Sequence, residues 1–177
     1  MSFLGQWKEA FMDDSLLEGL GSGRFQRIVV ARMKVGVDLL GGIQEAVRRE
    51  RIEKGIFITG IGALRRAVFR NLRRFPKEFP VSDKDRLYLE INQPLELVSL
   101  TGHISPKENG EPNVHAHFSA STVSGDTVIT LGGHLTEGTI TSIKVAVAIA
   151  VVEDIPMKSG FSSYTKSDEL VIEEHGH

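Results

Sequence analysis

Apolar and polar positions change their period several times along the chain, and each change marks an element. Arg24 to Val35, R-F-Q-R-I-V-V-A-R-M-K-V, is β-branched and partly alternating, which predicts a strand. From Asp38 the period lengthens. Leu39, Leu40, Ile43, Ala46 and Val47 make an apolar stripe opposite Gln44, Glu45, Arg48 and Arg49, so a helix is expected to about Ile52, capped by Asp38 and stopped by Gly55. Gly55 to Leu72 reads as two strands broken near Gly60 and Gly62. Arg86 to Ile91 and Leu95 to Ile104 are two more, hinged near Pro94, and Asn113 to Ser121 and Thr127 to Leu131 form a pair joined across Ser124-Gly125-Asp126. Ser142 to Glu153 is apolar almost throughout, as in a strand covered on both faces, one of them by sheet or by another subunit. Asp168 to Glu173 is a last short strand. Many strands and one clear helix predict a single α+β domain with a curved, mainly antiparallel β-sheet.

Within this pattern Val114 to Thr139, V-H-A-H-F-S-A-S-T-V-S-G-D-T-V-I-T-L-G-G-H-L-T-E-G-T, carries the chemistry. Strand side chains alternate, so His115, His117, Ser119 and Ser121 share one face and Val114, Ala116 and Phe118 the other. His134 follows a Gly132-Gly133 pair, read as a turn that brings a third imidazole to the first two. Three histidines with a position left open suit Zn²⁺ or a similar divalent ion. Histidines that hydrogen-bond to neighbours or line a subunit interface are the alternative. His103 is a candidate supporting residue or a solvated one, and the terminal His175-Gly176-His177 repeats H-x-H with nothing to fix it.

Composition narrows the chemistry further. The 177 residues suit one core, able to bury roughly two thirds of the unfolded surface. With no cysteine, a metal must sit on nitrogen and oxygen, which again selects histidine. Acidic residues in M-S-F-L-G-Q-W-K-E-A-F-M-D-D and an apolar run no longer than Val145 to Val152 lead to the expectation of a soluble cytoplasmic protein without export signal or membrane span. A net charge of -2 argues against a polyanion binder, but the charge is unevenly spread: residues 1–88 hold 17 basic against 11 acidic side chains, and residues 89–177 hold 4 against 12. Such a split marks either a basic face or two oppositely charged surfaces that meet.

In chain order, the helix from Asp38, G-I-F-I-T-G-I-G-A-L, L-E-L-V-S-L-T-G-H-I, V-H-A-H-F-S and G-G-H-L-T-E-G-T resemble the PPC domain, the plants and prokaryotes conserved domain, over roughly Arg24 to Val152. The resemblance implies a stand-alone prokaryotic type: an arm at residues 1–23, the domain at 24–155, a C-terminal extension at 156–177, and assembly as a homotrimer. Prokaryotic members are often labelled DNA-binding by analogy with plant members, which reach AT-rich DNA through a separate R-G-R-P core. This chain has no R-G-R-P, and the plant-type G-R-F-E-I-L stretch is replaced by Gln93-Pro94-Leu95-Glu96-Leu97-Val98. Plant members also tend to lack the histidines corresponding to His115, His117 and His134.

Three functions follow as expectations. The first is a metal-binding homotrimer, with zinc at His115, His117 and His134, acting as a ligand-sensing or DNA-associated accessory protein. The second is a metalloenzyme, hydrolase or lyase, in which the same imidazoles hold a metal-bound water and Glu96 or Glu137 is the base. The third is a nucleic-acid binder using Arg65, Arg66, Arg70, Arg73, Arg74 and Lys77. Glu96 reads equally as a structural residue that pairs with a cation, because it shares a strand face with Val98 and Leu100. G-I-G-A-L at Gly60 lacks full dinucleotide-binding spacing. The small-molecule ligand is left open.

Overall fold

A computed structural model describes residues 16–173. The arm residues Phe3, Leu4, Trp7 and Phe11 and the terminal His175-Gly176-His177 lie outside the described residues.

Strand β1 (Arg24–Arg32) leads to helix α1 (Leu39–Arg49) and then to β2 (Gly55–Leu72). A 3-10 turn at Asp83–Asp85 precedes β3 (Arg86–Ile91), β4 (Leu95–Pro106), β5 (Pro112–Ser124), β6 (Thr127–Leu135), β7 (Ile140–Thr141) and β8 (Ala146–Glu153). These eight strands form one antiparallel sheet in the order β1-β8-β2-β4-β5-β6, with β3 and β7 also paired to β2. β9 (Met157–Ser162) and β10 (Ser167–Ile172) make a separate hairpin. The expected mainly antiparallel α+β fold is the one observed, with one α-helix among the described residues. No helix among the described residues is long and apolar enough to cross a membrane.

β2 organises the sheet. Its first half pairs with β8 on one edge and β4 on the other, and its second half meets β3, β7 and β6. Because β6 pairs with β5 and also returns to β2 at Phe69↔Leu135 and Arg70↔His134, the β2-β4-β5-β6 run closes on itself. Closure removes open edges and fixes which residues meet. The expected break near Gly60 and Gly62 does not occur. Register shifts at Phe57/Thr59 and Leu64/Arg66 bend the strand while its ladder continues.

α1 lays Leu39, Ile43 and Val47 into a core shared with Phe57, Leu97, Leu100 and Ile104 from the sheet. Asp38 caps it by accepting from Gly41 N at 2.8 Å, and its second oxygen accepts from Gly138 N at 2.6 Å, tying the helix start to the loop after β6. A cap of this kind contributes about 1 kcal/mol. The helix ends earlier than expected and not through Gly55. Arg51 takes the left-handed conformation at φ 52, Ile52 N donates to Val47 O at 2.9 Å, and Gly55 opens β2. Composition hid β9, because M-K-S-G-F-S has no β-branched residue.

The two oppositely charged halves of the chain do meet: Arg24 pairs with Glu153 at 2.8 Å and Arg66 with Glu90 at 2.7 Å.

Candidate metal centre

Along β5 the alternation holds: Ala116 and Phe118 are buried, while His115 and His117 point outward. β6 and β2 alternate in step. Leu135 and Phe69 face the core as His134 and Arg70 face out, and the Phe69 and Phe118 rings stack at 4.7 Å directly beneath them. His117↔His134 and His134↔Arg70 are paired positions, so the closure of the sheet puts two imidazoles and a guanidinium on one cross-strand row. His103↔His115 supplies the adjacent row.

Gly132 and Gly133 are not the turn the sequence suggested; both lie inside β6. Their role is close approach. A Cβ at Gly133 would sit 2.7 Å from Asn71 Nδ2 and 3.0 Å from Arg70 O, and Asn71 Nδ2 donates to Gly132 O at 2.8 Å. β6 can press against β2 only where side chains are missing, and His134 is the next residue.

The imidazole nitrogens converge. His115 Nε2 lies 3.3 Å from His117 Nε2, His134 Nδ1 lies 3.4 Å from His117 Nε2, and all three ligand atoms lie within 4.8 Å of one another. A tetrahedral zinc site with Zn–N bonds of 2.0–2.1 Å separates its nitrogens by roughly 3.3–3.4 Å. Two of the three spacings match. The donor set therefore fits a divalent ion held by nitrogen, and the three histidines line a cleft of about 580 Å³. Arg70, Asn71 and Arg86 line that cleft beside the histidines, and Leu72, Phe75 and Val81 form its apolar wall.

Electrostatics keep the imidazoles neutral. Burial lowers the pKa of each, and the Arg70 guanidinium adds to the effect on all three. His134 is pushed down to about 3, first by burial, then by Arg70, His115, His117 and Arg86. His103 is half-buried and stacks on His115 with ring centroids 5.3 Å apart, and burial lowers its pKa too. The solvated reading of His103 is thereby replaced by a packing one.

The remaining candidates lie elsewhere. Glu96 is exposed and pairs in register with Ser121, at the far end of β4 from His103. A register shift between Leu97 and Ser99 leaves both Val98 and Ser99 outward and turns Leu100 inward, so Glu96 does not share a face with Leu100 and no buried carboxylate arises. Glu137 is exposed in the loop after β6, and neither glutamate lines the cleft. The six cations also separate. Arg66 pairs with Glu90 and Arg74 with Asp85 at 2.9 Å, Arg70 turns to the histidines, and Arg65, Arg73 and Lys77 are exposed. Asp85 is itself a hub: Ser82 Oγ donates to it at 2.5 Å, and the Ser82 and Arg74 hydrogen bonds hold its pKa at about 2. It anchors the segment that carries Val81 and Arg86. Arg70 and Arg86 are the site residues that sequence reading missed as partners of the histidines. Their only signal was position on strands whose closure is not written locally.

The Plants and Prokaryotes Conserved (PCC) domain model matches residues 20–153. The chain belongs to this family. Solved structures of similar fold include a plant- and prokaryote-conserved protein from Pyrococcus horikoshii, 28% identical, covering 89% of this chain and 99% of that one with a TM-score of 0.64. A protein of Archaeoglobus fulgidus described as metal-containing is 22% identical over 86% of this chain and 98% of that one, with a TM-score of 0.67. A Bacteroides thetaiotaomicron protein with a provisional DNA-binding label is 15% identical over 87% and 99%, with a TM-score of 0.65. At such identities the last two speak for the PCC-domain fold alone. No curated protein matches the chain.

Proposed function

We propose that this PCC-domain protein is a metal-dependent ligand-binding protein in which His115, His117 and His134 hold one divalent ion, zinc by its preference for three imidazoles. The observation that carries the reading is the pair of nitrogen spacings, 3.3 and 3.4 Å, on His117. They are long for a hydrogen bond and match the edge of a zinc tetrahedron. The metal-containing description of the Archaeoglobus fulgidus neighbour agrees with it. The bound ion would supply a Lewis-acidic position facing the cleft. Binding is preferred to hydrolase or lyase chemistry because no carboxylate among the described residues lines the cleft and Glu96 and Glu137 stand apart from it. A DNA-associated role, as in the label of the Bacteroides thetaiotaomicron neighbour, ranks lower, because the six cations form no single surface.

Elemental analysis of protein purified without a histidine tag tests the proposal, with about one ion per chain expected. Its pH dependence has a definite sign. The pKa of each imidazole is lowered from its ordinary value of about 6.5, so metal should be lost at a lower pH than unperturbed imidazole ligands would lose it. Metal lost in a dialysis series as soon as ordinary imidazole protonates would count against these ligands. The metal-free protein follows the same window. Between about 6.5 and the depressed value of about 3 for His134, the unfolded chain binds a proton that the fold refuses, so stability declines as pH falls through this range.

A homotrimer is part of the same proposal. Ile28, Ile56 and Ile58 are exposed on the outer face, and Ile28, Ala150, Ile56, His103 and His115 occupy successive paired positions across β1, β8, β2, β4 and β5. An apolar sheet face of this extent suits coverage by another copy. Light scattering should return three times the 19.5 kDa chain mass, and a monomer at micromolar concentration would remove the trimer.

A further inference from the structure

Arg70 and Arg86 are an unexpected pair to find beside a metal centre. A dication and two guanidinium groups in one cleft repel one another, and the repulsion grows as water is excluded. Second-shell groups around metal-bound histidines are ordinarily carboxylates or carbonyls, which favour the charge. Here no carboxylate among the described residues lines the cleft. Among the described residues Arg70 makes no ion pair, while its neighbours on the same strand and connector, Arg66 and Arg74, are matched to Glu90 and Asp85. Arg86 has only a 3.4 Å contact with Asp83, whose side chain is 87% exposed. Two guanidinium groups thus face the same opening as the imidazoles, Arg70 without an ion pair among the described residues and Arg86 engaged only through Nη1 with Asp83.

Resting on the metal reading above, we propose that this cleft takes a small organic anion, a carboxylate or phosphate monoester, whose oxygens are held by Arg70 and Arg86 next to the metal and whose carbon skeleton lies on Leu72, Phe75 and Val81. A guanidinium presents a planar fork of donors that matches either oxyanion and holds it in one orientation. The negative charge resolves the repulsion between the arginines and the ion. The cleft volume of about 580 Å³ lies within the range of small-ligand sites, and its apolar wall favours an organic skeleton over a bare inorganic ion. Asn71 is engaged by Gly132 O through its amide nitrogen, leaving its oxygen as the acceptor in a lining otherwise dominated by donors.

The test is calorimetric titration of the full chain, metal content measured in parallel, with benzoate, phenyl phosphate and inorganic phosphate as probes. Wild-type protein should bind at least one of the two organic probes, more tightly than inorganic phosphate. Arg70→Gln and Arg86→Gln should each weaken that binding by roughly 10- to 100-fold with metal content intact, and Arg70→Lys should recover only part of it. The arms separate the two proposals. Wild-type protein without metal that still binds the probe, and loses binding in Arg70→Gln, overturns the metal reading and keeps the anion site. Full metal content with no probe bound, or with affinity indifferent to both Arg→Gln changes, overturns the anion site and leaves the metal reading standing. If Arg70→Gln is unfolded by far-UV circular dichroism, Arg86→Gln decides, since Arg86 is the first residue of β3, is partly exposed and is not a member of the hydrophobic core cluster.

Discussion

Replacing His117 by alanine should leave the protein folded and nearly free of metal. Its Nε2 takes part in both close nitrogen spacings, 3.3 Å to His115 and 3.4 Å to His134, so it is the vertex through which the other two ligands are related. Loss of a supporting residue around a metal site typically weakens binding by roughly 10–100-fold; loss of a ligand at the vertex should exceed that. The fold should survive because His117 is exposed and the row beneath it is held by stacked Phe69 and Phe118. Competition titration against a chelator of known affinity, alongside elemental analysis of untagged protein, measures the change. Metal content equal to wild type would sink the three-histidine site, whereas the Arg70→Gln variant should keep its metal and so separates ligand loss from general damage to the cleft.

Gly102→Ala should be among the most destabilising Gly→Ala changes at the described glycines. Gly102 has φ +137, a conformation an L side chain rarely adopts, and a Cβ there would lie 2.1 Å from His115 O and 2.8 Å from Ala116 Cα. Backbone strain of this kind alone costs on the order of 1–3 kcal/mol. The clash is with main chain, which cannot rotate away, so β4 and β5 must separate at the position where His103 pairs with His115. Denaturant unfolding should show a loss at or above the upper end of that range, and metal affinity should fall with it because His115 moves. A variant of wild-type stability would mean that the two strands do not approach so closely. Gly110→Ala is the control: nothing lies within 4 Å of its Cβ, and only its own left-handed backbone at φ +81 opposes the change.

How much of this was legible beforehand depends on the distance over which each feature is encoded. The helix, its Asp38 cap and the outward facing of His115 and His117 follow from local period, because a side chain three or two residues away shares a face by backbone geometry alone. That His134 comes beside His115 and His117 was also legible, through spacing, the Gly132-Gly133 pair and the order of motifs, though the supposed turn before it proved to be strand. Glu96 was misjudged because alternation was counted through Val98 without the register shift after Leu97. A bulge reverses the face of every later residue, and nothing in L-E-L-V-S-L announces one.

The sequence by itself determined an α+β chain with one amphipathic helix, a strand bearing two outward histidines, no cysteine to compete as a ligand, and a family whose fold this is. Only the tertiary structure decided that β2 continues for 18 residues, that β6 closes back onto it, and that Arg70 therefore stands beside His134 and His117 while Glu96 and Glu137 do not. The physical reason is range. Period, caps and turn chemistry act within a few residues, whereas strand register across a closed sheet is set by packing between segments more than sixty residues apart in sequence, and the charge environment of the imidazoles depends on that register.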